Sequence, residues 1–188
     1  MKNLIIIMAG LPGTGKSTLA SKLVDSLENY DLYSLLNIRR DLGHKKYNSY
    51  QNEKVFTEMY RRMQSSLVQD KNVIVDSTHT TVNSRRDSYE IALKNNANAL
   101  IIECFCLEEE AKLRIKKRPK NEGIIMEPRN PRVYDKLKDR MIKIDLDELP
   151  GGVSYVKYNS ETSEFEKVKI EPELMFFIDK LESIVKLK

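Results

Sequence analysis

Gly10-Leu11-Pro12-Gly13-Thr14-Gly15-Lys16-Ser17 sets a glycine, four open positions and then Gly-Lys-Ser in one run. That spacing fits the phosphate-binding loop, or P-loop. Glycines there let successive backbone N–H groups turn inward around a phosphate chain, and a helix N-terminus adds a positive partial charge. Lys16 is placed to reach the β- and γ-phosphates. The Ser17 hydroxyl, with Thr18 beside it, opens the helix and is the expected Mg²⁺ ligand. The chemistry is capture of a nucleoside triphosphate.

Further reactive groups belong at the carboxyl ends of the strands, where open α/β sheets hold ligands. Asp76 ends Val73-Ile74-Val75 and suits Mg²⁺ or a neighbouring side chain; the plainer reading is a strand-end turn former. Asp41 closes Ile38-Arg39-Arg40-Asp41, where a helix N-cap is the plainer reading. Arg118 borders a loop. His79, in the loop after Asp76, is a candidate substrate contact, although a lone histidine in a polar loop is more often merely exposed. His44 has the same standing, and two distant histidines make no metal cluster.

These groups need a scaffold. Leu4 to Ala9 reads as a strand buried on both faces, and Leu19, Leu23 and Leu27 as the helix after the loop. A second strand is expected over 32–38, then a helix carrying Val55, Met59, Met63 and Leu67. Strand 73–76, a helix over about 84–94, strand 99–106 and a helix from Glu108 to before Pro119 follow. A mobile loop is expected over 120–130, within a lid at about 114–131, and a helix over 132–144. Residues 153–158 and 165–170 alternate as a hairpin or as a sheet strand plus an edge strand, and 171–187 closes as a helix. The alternation predicts an α/β P-loop NTPase fold: a three-layer parallel sheet with helices on both faces and a basic lid.

With 188 residues, 40% hydrophobic and 32% charged, the chain suits one domain. The N-terminal apolar run is too short for a signal peptide and leads straight into the P-loop. No stretch nears the ~20 apolar residues of a membrane span, so a cytoplasmic protein is expected. Cys104 and Cys106 read as small buried hydrophobes on one strand face. The net charge is +4, yet Lys112 to Lys143 holds twelve basic residues against four acidic ones. That run is either a solvated helix face or a surface for phosphates.

The sequence lacks Asp-x-x-Gly after the third strand and any Asn-Lys-x-Asp, which sets a switch GTPase aside, and motor ATPases are larger. Gly-x-Pro-Gly-x-Gly-Lys-Ser-Thr resembles the P-loop kinases grouped with polynucleotide 5′-hydroxyl kinases and zeta-toxin-like kinases. So do Ile38-Arg39-Arg40-Asp41, Val73 to Thr78 with Arg85-Arg86, and Arg114 and Arg118 before a basic lid. The resemblance covers about residues 1–145. It implies ATP and Mg²⁺ on Gly10, Leu11, Pro12, Gly13, Thr14, Gly15, Lys16, Ser17 and Thr18. It further implies Asp41 as the base that accepts the hydroxyl proton, and Asp76 as a second active-site aspartate. Arg118 becomes the lid arginine on the transferring phosphoryl group, with Arg114 as its neighbour. Arg40, His44, Lys45, His79 and Arg86 are the candidate acceptor contacts. One position departs: polynucleotide kinases carry an arginine three residues past the base, where this chain has His44, then Lys45 and Lys46.

The expected reaction is transfer of the ATP γ-phosphoryl group to a hydroxyl. Three readings stand at this point: a kinase of RNA or DNA 5′-hydroxyls, a kinase of a small molecule (nucleoside, sugar nucleotide or antibiotic), and a nucleotide-dependent binding protein without turnover.

Overall fold

Leu4–Ala9 forms β1, and all six of its residues are buried, as a central strand of a parallel sheet requires. The computed structural model describes residues 2–44, 48–118 and 129–186. β1 pairs in parallel with β3 (Asn72–Asp76) on one side and β4 (Asn98–Phe105) on the other. β2 (Tyr30–Ser34) adds outside β3, and β5 (Val153–Asn159) outside β4, both parallel. β6 (Glu164–Lys169) closes the edge antiparallel to β5, giving the order β2-β3-β1-β4-β5-β6. The α/β fold with helices on both faces is the one expected, with one antiparallel strand at the hairpin edge.

The pleat of β1 feeds both helical layers, because successive side chains point to opposite faces. Leu4, Ile6 and Met8 pack with Leu19 and Leu23 of α1 (Lys16–Ser26) and with Ile178 and Leu181 of α7 (Met175–Lys186). Ile5, Ile7 and Ala9 pack with α3 (Ser49–Val68) and α4 (Val82–Lys94). On α3 the contact residues are Val55, Met59, Met63 and Leu67, all buried. A smaller cluster joins Leu11 to Ala111 and Ile115 of α5 (Glu108–Lys117) and Tyr134 of α6 (Arg132–Lys138), so α5 packs directly on the P-loop.

Several boundaries differ from expectation. The second strand stops at Ser34, whose Oγ accepts from the Asn37 N–H at 3.2 Å and caps α2 (Leu35–Asp41). A capped helix thus begins where the expected strand was to continue. Likewise, α4 starts two residues early because Thr81 and Ser84 form a capping box. The helix expected over 132–144 ends at Lys138, and the Ile142 N–H donates to the Thr80 carbonyl at 2.9 Å. At the C-terminus a 3₁₀ turn, Pro172–Leu174, precedes α7. Cys104 is buried and its thiol is pushed up to about 12 by burial, while Cys106 lies half-buried just past β4; both are free. Among the described residues no helix is long and apolar enough to cross a membrane.

Candidate active site

The P-loop runs from the carboxyl end of β1 into α1 and closes on itself. Thr14 Oγ1 donates to the Leu11 carbonyl at 2.8 Å, and Lys16 Nζ donates to the same oxygen at 2.7 Å. The Gly10 N–H reaches the Thr78 carbonyl at 2.9 Å, tying the loop to the connection after β3. Gly13 and Gly15 are needed as glycines, as is Gly10. Gly13 has φ +83°, and a Cβ there would run into the Ala111 carbonyl; Gly15 has φ +88°, and a Cβ there would lie 2.8 Å from Ser160 Cβ. Gly15 is also the N-cap of α1 and provides no side-chain cap. Gly15 therefore brings no side chain over the first turn of α1, where Ser17 and Thr18 are exposed. This cradle fits a phosphate chain.

A cleft of about 500 Å³ opens over the loop. Gly13, Gly15, Lys16, Ser17 and Thr18 form its floor, and Arg114 and Arg118 of the α5 region line it with them. Both predicted arginines therefore meet the predicted loop. Arg114 Nε pairs with Glu110 at 2.6 Å, and its Nη1 donates to Ser160 Oγ at 2.8 Å and lies 3.5 Å from the Gly13 carbonyl. Arg118 is the C-cap of α5. Tyr158 and Ser160 of the β5–β6 hairpin, which sequence reasoning assigned no role, also line the cleft, with Ser160 beside Arg114.

Asp76 ends β3, half-buried, in register with Met8 of β1 and Ser34 of β2. Its carboxylate and the Ser17 hydroxyl are donor types that Mg²⁺ takes, although Asp76 is not among the residues that line the cleft. Among the described residues no group of three His, Cys, Asp or Glu side chains is arranged to hold a metal. Asp41 is the last residue of α2, whose N-cap is Ser34, so the N-cap reading of Asp41 is overturned. Its Oδ2 instead pairs with Arg62 Nη1 of α3 at 2.7 Å.

The candidate acceptor contacts divide. Arg40 is exposed and 3.4 Å from Asn37 Oδ1, and Arg86 is exposed on α4. His44 is half-buried, and its Nε2 is buried without a hydrogen-bond partner. Lys45, Lys46 and lid residues 119–128 lie outside the described residues.

His79 needs correcting as a substrate contact, because it is only 2% exposed. Its Nδ1 lies 2.7 Å from the Met8 carbonyl and its Nε2 2.9 Å from Ser88 Oγ. A carbonyl only accepts, so Nδ1 carries the proton and Nε2 accepts from Ser88. Burial holds the imidazole down to about 4, helped by the Arg85 and Lys16 cations. Nδ1 thus braces the P-loop strand, and Nε2 ties the same ring to α4.

Arg85, fully buried, was not singled out for a role. Its guanidinium binds both carboxylate oxygens of Glu148, at 2.6 and 3.0 Å, and donates to the carbonyls of His79 and Ile142 at 3.1 Å each. It clamps the segment after α6 to the loop that carries His79.

The basic run is also less open than its count suggests. Lys112 pairs with Glu108 at 2.7 Å and Asp135 at 2.5 Å, and Lys138 with Glu108 at 2.6 Å. Glu108 and Glu110 precede the window in which the cations were counted, and they neutralise part of it.

The AAA domain family model matches residues 5–141 of the chain. The chain belongs to that family. The AAA domain match holds the whole P-loop with Asp41, Asp76, Arg114 and Arg118, whereas Tyr158 and Ser160 lie beyond it. No curated protein matches the sequence. Among solved structures, a putative kinase from Chloroflexus aurantiacus superposes with TM-score 0.67 at 17% identity, over 96% of this chain and 98% of that one. Kti12 from Chaetomium thermophilum in complex with ADP-AlF3 gives 0.63 at 18% identity, over 96% and 98%. A chain of the Pnkp1/Rnl/Hen1 RNA repair complex gives 0.59 at 19% identity, over 85% of this chain and 53% of that one. In a second structure of that complex this chain spans 42% of its counterpart. At these identities the likeness is one of fold, and the P-loop kinase resemblance read from the sequence holds at the level of family and fold.

Proposed function

We propose that the chain is an ATP-dependent kinase that transfers the γ-phosphoryl group to a hydroxyl acceptor, best matched by a nucleic-acid 5′-hydroxyl. The observation that carries the reading is the convergence of Lys16, Ser17, Arg114 and Arg118 on one cleft above the P-loop. Such transfer asks little covalent work of a protein, so positioning and charge stabilisation carry the rate. Lys16 leaves the Leu11 carbonyl for the β- and γ-oxygens, and Arg118 neutralises charge on the transferring group. Ser17 and Asp76 hold Mg²⁺, which supplies further charge neutralisation when bound. Asp41 accepts the hydroxyl proton, oriented by Arg62, with Arg40, His44, Lys45 and Arg86 on the acceptor side. Because β5 and β6 extend the same sheet, we read residues 1–188 as one kinase domain, acting in the cytoplasm.

The fold likeness to a chain of an RNA repair complex supports a nucleic-acid acceptor. The ion pairs of Lys112, Arg114 and Lys138 favour the second reading, a small-molecule acceptor, because they reduce the surface open to a polyanion. A labelled-ATP screen against oligonucleotides, total tRNA and a metabolite panel tests the acceptor. The first reading predicts a labelled 5′ end at low salt that falls as salt rises, since each phosphate contact releases counterions. Label confined to a metabolite selects the second.

A further inference from the structure

We infer that Ser160 is a positioning residue of the nucleotide site, its hydroxyl fixing the Arg114 guanidinium across the mouth of the P-loop. The inference rests on the kinase reading, because it gives Arg114 a nucleoside triphosphate to hold.

Arg114 is held from two sides. Glu110, one turn back on α5, takes Nε at 2.6 Å, and Ser160 Oγ takes Nη1 at 2.8 Å. The same Nη1 lies 3.5 Å from the Gly13 carbonyl, so the guanidinium sits against the loop itself. The Glu110 pair is a half-exposed i,i+4 contact within one helix, of a kind that restrains a long side chain only weakly. Ser160 makes the shorter of the two contacts from outside α5, and it stands on a braced turn. Its N–H donates to the Phe105 carbonyl at 3.0 Å, and the next residue, Glu161, accepts from the Leu107 N–H at 2.7 Å. The turn is therefore pinned to the connection between β4 and α5, the element that carries Arg114. It also abuts the loop: a Cβ on Gly15 would approach Ser160 Cβ to 2.8 Å.

These contacts make the hairpin tip part of the nucleotide cleft, although residues 142–188 lie outside the family match. An arginine fixed before its ligand arrives loses less freedom on binding, and that gain appears as affinity. Ser160 needs no contact with nucleotide to act this way.

The test is ATP affinity of the full chain, with Mg²⁺, measured by calorimetry on wild type, Ser160→Ala, Ser160→Thr, Arg114→Ala and the Ser160→Ala/Arg114→Ala double variant. Ser160→Ala is expected to weaken ATP by up to about tenfold, the cost of ordering one long side chain on binding. Ser160→Thr, which keeps the hydroxyl, should stay near wild type, and the double variant should bind no worse than Arg114→Ala alone. Should Ser160→Ala misfold, Ser160→Val against Ser160→Thr makes the same comparison at nearly constant shape. Wild-type affinity in the hydroxyl-free variant, or full additivity in the double variant, overturns the inference while leaving the kinase reading in place. Wild type that binds no ATP overturns both.

Discussion

Arg62 Nη1 of α3 lies 2.7 Å from Asp41 Oδ2 at the end of α2, and Arg62 Nε holds Glu58 Oε1 at 2.8 Å. The guanidinium thus ties the proposed base to a second carboxylate one turn back on α3. The hydrogen bonds from Arg61 and Arg62 hold the Glu58 carboxyl down to about 2, so Glu58 stays ionised as the anchor of this pair.

Asp41→Asn separates a base from a structural residue. Asparagine keeps the size and can accept from Arg62, so folding should be retained, while transfer falls about 10²-fold or more. Wild-type-like transfer by the folded variant would end the base assignment. Since Ser34 caps α2, a capping role for Asp41 no longer competes as an explanation.

Arg118 is expected to act on the transition state more than on bound ATP. Arg118→Ala should lower kcat by roughly 10²-fold, with a smaller change in ATP affinity. Steady-state kinetics decides: normal kcat at saturating ATP with weakened affinity would make Arg118 a binding contact only.

His79 makes stability depend on pH with a fixed sign. Its folded value, about 4, lies below the ordinary 6.5 because of burial. The unfolded chain therefore takes up the proton first as pH falls. The contribution is complete above about pH 6.5 and is lost as pH drops toward about 4. Urea unfolding of wild type and His79→Gln at about pH 7.5 and about pH 5 should show a larger fall for wild type. An equal fall in both would place the proton uptake elsewhere.

The parts of this molecule that were legible in the sequence are those decided by local pattern. The P-loop is a contiguous motif, and Val55, Met59, Met63 and Leu67 declare one helix face that is fully buried. β1 and β3 are short apolar runs at the centre of the sheet. The failures have physical causes too. Leu35 to Ile38 is apolar enough for a strand, yet Ser34 caps it as a helix and Ile38 packs it against α3. His79 stands in a polar stretch, yet the fold packs it between β1 and α4, which no local pattern reports. Arg85 and Glu148 lie 63 residues apart, and Arg114 and Ser160 lie 46 apart. Such pairs exist only once the sheet has placed β4, β5 and α4 side by side.

The central claim is transfer of the γ-phosphoryl group through the P-loop, and the most direct measurement follows γ-labelled ATP into an acceptor. Wild type and Lys16→Ala would be compared at low salt with a 5′-hydroxyl oligonucleotide and with the metabolite panel. The account predicts label covalently attached to an acceptor hydroxyl with wild type and none with Lys16→Ala, which has lost the charge that follows the β- and γ-phosphates. Label appearing solely as inorganic phosphate with every acceptor, or equal transfer by Lys16→Ala, would contradict it.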